Sequence, residues 1–385
     1  MPTVAITGGV LGGTTHLRHR NRVAFSRCKV VIPLFYCLFN GTGVVDTDQG
    51  GTVQIACSLE YPFNSGTRYS FLFEGTASPA TTAAAAGGYL VSDWLELGFT
   101  IPANTFFGSY TFQAVQSGNT PYGSVFTGGV SYQEGTAYSS SPSDLTVSGT
   151  VAPNFQFGLG PMLILTEGIL PSAALWGDSI AAGTGGLSQG DGNGNTGWPA
   201  LYAYRAGVGY GKYAVPSERM SHANMTNWKR RLAVFGMSQA THVISTYGTN
   251  DLRVGLVTTL GGLQSAKAAE LALYQSYRPG IAVLGAPFLP RTTSSDSFVT
   301  LVNQGAQANF SPLGASVREQ YNDWIRGRPA GFRHCLDICA MGEAALNSGQ
   351  WPVTGAANYA TADGTHPTQA MHALIANGLP VGRII

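Results

Sequence analysis

The sequence predicts an all-β domain over residues 1–170 joined to an α/β domain over residues 171–385. The second is expected to carry a parallel five-stranded sheet with helices on both faces. Three observations predict this. Before about residue 170, short apolar or alternating runs recur between clusters of Gly, Ser, Thr, Asn and Pro, the pattern of a turn-rich sandwich or jelly roll. From Ser172 onward, strand-like runs alternate with helical stretches, which argues a covered parallel sheet. A length of 385 residues favours two domains over one.

In order, strands are expected at Lys29–Phe39, Thr52–Tyr61, Tyr69–Glu74, Asp93–Ile101, Ser109–Val115 and Leu145–Val151. Pro79–Gly88 reads as an Ala/Thr/Gly loop, and Gly158–Pro171, with two prolines, as the link between domains. The second half gives strands at Ala173–Trp176, Lys212–Pro216, His242–Tyr247, Ile281–Gly285 and His334–Ala340. Helices are expected at Glu218–Phe235, Thr259–Tyr277, Gly314–Arg326 and Pro367–Asn377. Gly183–Gly197 is a long Gly/Asn/Gln loop. No internal repeat is visible.

Charged residues make up only 11% of the chain, and the net charge is +1. Bulk electrostatics therefore give no pointer to nucleic acid. The charges are uneven: His16–Lys29 holds Arg18, Arg20, Arg22 and Arg27. That arm reads as a solvated segment, or as a contact for an anionic partner or for assembly. Five cysteines without a Cys-x-x-Cys pair argue against a zinc ribbon, and buried free thiols are the default. A bridge among Cys28, Cys37 and Cys57 stays open. Met1–Gly13 lacks the charged start and apolar core of a secretory signal. The apolar run Val30–Phe39 is too short to span a membrane and reads as a strand.

Three blocks carry chemistry. Gly177-Asp178-Ser179 follows the apolar run Ala173–Trp176. Gly177 allows a sharp turn, so the serine hydroxyl can stand at the strand's end, where open α/β sheets place their ligands. Gly248-Thr249-Asn250-Asp251 follows the expected strand His242–Tyr247, and Asp363-Gly364-Thr365-His366 precedes the last helix. Each alone is weak: Ser179 could be a helix cap, and Asn250 a turn residue. Together they supply what a serine nucleophile needs, a base for its proton and a carboxylate to hold that base. Asp251 reads as structural, and His222, His242, His334 and His372 as ordinary satisfied histidines.

These blocks resemble the SGNH hydrolases, also called the GDSL esterases and lipases, over about residues 172–380. The resemblance implies an SGNH-type three-layer α/β/α domain. It assigns Ser179 as nucleophile, His366 as general base and Asp363 as the residue that orients it. It also makes the Asn250 side-chain amide and the Ser179 backbone N–H donors to an oxyanion hole. The family's second block normally supplies a glycine N–H there. The matching stretch, Ala214-Val215-Pro216-Ser217-Glu218-Arg219, has Ser217 instead. Ser217 keeps its N–H, and would lose access only if the position required a positive φ. Gly207, Gly209 and Gly211 are the fallback donors. Residue 181 is Ala, so the serine lacks the Gly-x-Ser-x-Gly setting of α/β-hydrolases.

Arg291-Thr292-Thr293-Ser294-Ser295-Asp296 is expected on the catalytic rim, as a substrate contact at Arg291 or as plain surface loop. Tyr247 and Trp198 either line the pocket or pack in the core. Asp191–Asn195 superficially resembles a calcium loop, but it lacks the required glycine and glutamate, so neither metal nor cofactor is expected.

The loops near Ser179 are small and polar, and no long apolar lid is evident. An acetylated carbohydrate or other small ester is therefore the expected substrate. An all-β domain ahead of an SGNH domain is similar to the arrangement in some carbohydrate-deacetylating esterases, where it would bind glycan or shape the site. Low charge and abundant Gly, Thr and Ser also resemble phage or prophage virion proteins, with a homo-oligomer and polysaccharide deacetylation. A third reading is a glycan-binding or structural protein with an inactive hydrolase domain. The compartment is left open, with extracellular or virion-associated action compatible with the composition.

Overall fold

The computed structural model describes the chain apart from residues 1–3, 6–8, 41–42, 49–50, 77–79, 84–87, 117–121, 124, 127–131, 169 and 186–195. The described residues gather into two compact units. One comprises Met1–Leu38 and Val45–Leu170, the other Phe39–Val44, Pro171–Asp191 and Asn195–Ile385.

The first unit is mostly antiparallel β. In its six-stranded sheet, Phe106–Val115 pairs with Gly12–Arg20 on one side and Thr52–Glu60 on the other. Gly135–Ser139, Arg68–Ser70 and Ala80–Ala83 extend that sheet. A four-stranded sheet centres on Phe25–Pro33, paired with Leu95–Ile101, Leu163–Thr166 and Tyr89–Val91. Side chains alternate faces along a strand. Val30 and Ile32 of one sheet and Val53, Ile55, Cys57 and Leu59 of the other thus meet in a single buried cluster. Two sheets closing on one core make a sandwich. Each such side chain contributes about 1.5–3 kcal/mol by leaving water.

Several expectations are corrected here. The basic arm is only partly solvated: Gly12–Arg20 is an interior strand whose first six residues are buried, while Arg27 stays exposed. His16 pairs with the buried Glu60 at 3.0 Å, and Arg18 lies 4.6 Å from the Phe106 ring centroid. Neighbouring rings and carboxylates answer the charges that made the stretch look exposed. Lys29–Phe39 is two strands, Phe25–Pro33 and Phe35–Phe39, interrupted at Leu34. Strand structure at Tyr69–Glu74 is limited to Arg68–Ser70. Ala80–Ala83, within the expected loop, is a strand. Leu145–Val151 is not a strand. Its polar groups bond across the chain instead, with Ser58 Oγ donating to the Thr146 carbonyl at 2.7 Å and Thr14 Oγ1 accepting the Leu145 N–H at 3.0 Å. All five cysteines are free thiols.

The second unit is α/β. Its five parallel strands stand in the order Gly209–Lys212, Ser172–Trp176, His242–Ser245, Ala282–Gly285 and His334–Cys335. The helices are α1 (Ser179–Ala182), α2 (Trp198–Arg205), α3 (Lys229–Met237), α4 (Thr249–Arg253), α5 (Leu260–Tyr277), α6 (Val317–Arg326), α7 (Cys339–Gly342) and α8 (Gln369–Gly378). The first strand in sequence lies between the second and the third, so the order reverses there. Open α/β sheets bind ligands outside the strand ends at such a point.

Local chemistry sets these elements. Thr259 caps α5 by accepting the Gly262 N–H, and Ser316 with Glu319 forms a capping box on α6. The expected helix Glu218–Phe235 is broken into a 3-10 turn, Met220–His222, and α3. The Asp251 carboxylate captures the N–H groups of Met220 and Ser221 at 2.8 and 2.7 Å. Asn224 Oδ1 accepts from Thr226 and Asn227, an Asx-type turn that competes with helix. Strand structure in the expected His334–Ala340 covers only His334–Cys335, because α7 begins at Cys339. The expected Lys212–Pro216 strand is displaced to Gly209–Lys212, although Tyr213 and Val215 still donate to the carbonyls of Leu175 and Gly177. Among the described residues no helix is long and apolar enough to cross a membrane.

Candidate active site

Three neighbouring strand ends build the site. Ser179 is the first residue of α1, just past the Ser172–Trp176 strand. Asp178 rather than Ser179 caps the helix, its Oδ1 accepting the Ile180 N–H at 2.9 Å. Gly177 serves by close approach: a Cβ there would overlap Thr246 Oγ1 and the Ala181 methyl. The Ser179 hydroxyl is therefore free of capping and points elsewhere.

It points at His366. Ser179 Oγ lies 2.8 Å from His366 Nε2, and His366 Nδ1 lies 2.6 Å from Asp363 Oδ2. With Nδ1–H donating to the carboxylate, Nε2 is left to accept the serine proton. One short loop carries both residues. Asp363 Oδ1 also accepts the backbone N–H groups of His366 and Thr365, at 2.8 and 2.9 Å. Gly364 makes the loop: its φ is 74°, and a Cβ would collide with the Thr292 carbonyl. Burial pulls the Asp363 pKa upward, but the His366 and Thr365 bonds outweigh it and hold the carboxyl below its ordinary range.

On the opposite side stand Ser217 and Asn250. The Glu218 N–H donates to the Val215 carbonyl at 3.2 Å, closing a turn with Pro216 second and Ser217 third. Proline at the second position and a positive φ at the third is the type II pattern, which favours glycine. Ser217 adopts that conformation with φ 65°. The position does require a positive φ, the one condition under which access was in doubt, and serine adopts it. Asn250 follows the His242–Ser245 strand on α4, and its Nδ2 donates to the Glu218 carbonyl at 3.0 Å. Among the described residues the second hydrogen of that amide has no protein acceptor.

Ser179, Ser217, Asn250 and His366 line one open cleft of about 230 Å³, together with Arg253 and Arg291. Burial drives the Asp178 pKa up to about 7; Asp251 adds to the rise, while the Ile180 N–H and Arg291 oppose it. Burial, with the like charge of Arg253, brings Arg291 down to about 10. Among the described residues no group of His, Cys, Asp and Glu could hold a metal ion.

The sequence pattern of the GDSL-like Lipase/Acylhydrolase family matches residues 175–374, more than half of the chain. The chain belongs to this family. It is thus a hydrolase of the esterase type. Among solved structures, an active-site mutant of a family two carbohydrate esterase from Clostridium thermocellum is 12% identical, over 98% of this chain and 96% of that one, with a TM-score of 0.37. A carbohydrate acetylesterase family member from Sinorhizobium meliloti is 13% identical, over 54% and 95%, with a TM-score of 0.36. A GDSL-like lipase family protein from Parabacteroides merdae is 15% identical, over 54% and 92%, with a TM-score of 0.38. No curated protein matches the sequence.

Not every expected residue of this GDSL chain reaches the cleft. Trp198 and Tyr247 are fully buried. Trp198 begins α2 inside the core cluster, and the Tyr247 hydroxyl donates to Glu218 Oε2. Both pack rather than line. Arg291 does line the cleft. The calcium-like run Asp191–Asn195 lies outside the described residues. Asp251 is structural through its bonds to Met220 and Ser221.

Sequence reasoning missed three contributors. Arg253 follows Asn250 by one helical turn, a neighbour relation visible only once α4 is recognised. Glu218 is clamped by the buried Arg231 and holds the Asn250 amide through its carbonyl. Lys212 Nζ donates to the carbonyls of Ala182 and Thr196, at 3.3 and 2.9 Å, and so steadies the end of α1. His372 is a satisfied histidine, as expected: its Nδ1 accepts the Trp198 N–H at 3.1 Å, with Nε2 3.3 Å from the Thr184 carbonyl.

Proposed function

We propose that this GDSL hydrolase is a serine esterase that removes small acyl groups, acetyl in the first place, from carbohydrate hydroxyls. The reading rests chiefly on one observation: the unbroken chain Ser179 Oγ, His366 ring, Asp363 carboxylate, at 2.8 and 2.6 Å. These are hydrogen-bonding distances for a nucleophile, its base and the base's anchor.

In the first half-reaction Ser179 Oγ attacks the acyl carbon while His366 Nε2 takes its proton. The resulting oxyanion is stabilised by the N–H groups of Ser179 and Ser217 and by the Asn250 amide. The carbon–oxygen bond to the sugar then breaks, and His366 returns the proton to the leaving alcohol. In the second half-reaction water gives a proton to His366, attacks the acyl-serine, and releases the carboxylic acid with regeneration of Ser179. Asp363 keeps its charge throughout and stabilises the imidazolium.

The small, open cleft supports a short acyl group on a hydrated alcohol. Acetate release should be followed from acetylated sugars and from 4-nitrophenyl esters of rising chain length. The expected result is serine-dependent turnover that is highest for acetyl and lost in Ser179→Ala. Faster turnover of long-chain esters with no release from acetylated sugars would overturn the acetyl-carbohydrate reading. Turnover unchanged in Ser179→Ala would overturn the mechanism.

A further inference from the structure

The cleft is bordered by two arginines that the acyl-transfer chemistry does not use. Arg291 is only 8% exposed, yet it lines the cleft. Its Nε donates to Gln307 Oε1 at 2.7 Å, while Gln307 Nε2 donates to the Thr292 carbonyl at 2.9 Å. That arrangement fixes the guanidinium plane, whose Cζ lies 6.0 Å from the Phe310 ring centroid, and leaves its two terminal nitrogens without a hydrogen-bond partner among the described residues. Arg253 is exposed at the end of α4, and its side chain likewise has no carboxylate partner among the described residues.

Two guanidinium groups in one small cleft repel each other. The nearby acids do not neutralise them by contact. Asp363 is engaged with His366 and Thr365, and Asp178 with Ile180. A protein keeps such an arrangement at a cost in stability unless an anion arrives to share it.

The position of Arg291 says which half of the ester bears that anion. Its neighbour Thr292 donates its N–H to the Gly364 carbonyl at 3.0 Å, inside the Asp363–His366 loop. Arg291 therefore borders the side on which His366 hands its proton to the leaving alcohol. Resting on the esterase reading, we propose that Arg253 and Arg291 form a carboxylate clamp, and that the substrate is an O-acylated sugar whose alcohol half carries a carboxylate. A planar guanidinium with two free donors matches a carboxylate bidentately.

The test compares acetate release from an O-acetylated oligogalacturonate with release from the same material after carboxyl reduction, which makes it neutral. Wild type is expected to favour the acidic form in kcat/KM by about tenfold or more, the scale of one charge-assisted pair. The preference should shrink with added salt and fall toward unity in Arg291→Gln and in Arg253→Gln. Because Arg253 is exposed, its variant decides the matter even if Arg291→Gln fails to fold. Equal or greater turnover of the neutral sugar would overturn the clamp while leaving the esterase intact. A preference for hemisuccinate over acetyl esters, with no preference between the sugars, would overturn the placement on the alcohol. If neither sugar nor 4-nitrophenyl acetate is hydrolysed, the esterase reading fails and the clamp falls with it.

Discussion

Glu218 and Arg231 form a fully enclosed ion pair immediately after the Ser217 turn: the guanidinium donates to both carboxylate oxygens, at 2.5 and 2.7 Å, with neither side chain exposed. The Glu218 carbonyl in turn accepts the Asn250 amide. Removing the carboxylate charge strands a buried cation, which costs about 3–5 kcal/mol. Glu218→Gln should therefore lower the denaturant midpoint sharply and reduce kcat through a displaced Asn250. An unchanged midpoint contradicts this view of the pair.

Ser217 sits at φ 65°, where glycine is the unstrained choice. A left-handed non-glycine residue costs roughly 1–2 kcal/mol, partly offset by the greater freedom that glycine loses on folding. Ser217→Gly should keep kcat/KM and leave stability within about 1 kcal/mol of wild type. Ser217→Val, with a branched Cβ in that region, should lose both. Equal behaviour of the two variants in thermal unfolding and turnover would contradict the turn's role.

In the proposed mechanism Asp363 and Asn250 act in the same step on opposite charges, the imidazolium and the oxyanion. Asp363→Asn removes the charge that stabilises the imidazolium, so kcat should fall by about 10²–10⁴ with little change in KM. Asn250→Ala should cost about 10²–10³ in kcat by removing one oxyanion donor. Steady-state kinetics on a short-chain ester reads both. A loss confined to KM would assign these residues to substrate binding instead.

His372 sets an acid limit. Burial brings its pKa down to about 4 from the ordinary 6.5, with the Lys212 and His366 charges adding to the fall and the Thr184 carbonyl opposing it. The unfolded chain therefore takes up a proton that the folded chain refuses. The stability this contributes is full above about pH 6.5 and is lost as the pH falls toward 4, by about 3 kcal/mol in all. His372→Gln, which can still accept the Trp198 N–H without titrating, should flatten that part of the stability profile. Parallel profiles for the two proteins would contradict it.

The proposed catalytic residues were readable because their motifs are local. Gly-Asp-Ser and Asp-Gly-Thr-His each encode a turn and a side-chain direction within four residues. The strands at Ser172–Trp176 and His242–Ser245 were readable because burial on both faces leaves unbroken apolar runs. What was not readable depended on distant partners. His16 and Arg18 look like a solvated basic arm until Glu60 and Phe106 are brought alongside. The Met220–His222 break depends on Asp251, about thirty residues away in sequence. Trp198 and Tyr247 have the residue types of a pocket wall, and only packing places them in the core.

Turnover by the proposed route requires that Ser179 become covalently acylated. That requirement is tested most directly by mixing the enzyme with 4-nitrophenyl acetate, quenching in acid, and mapping the acetyl group by peptide mass spectrometry. A single acetylated peptide is expected, carrying the label on Ser179 and absent from Ser179→Ala. Hydrolysis in full with no acyl-enzyme at Ser179, or a label on another residue that persists in Ser179→Ala, would contradict it.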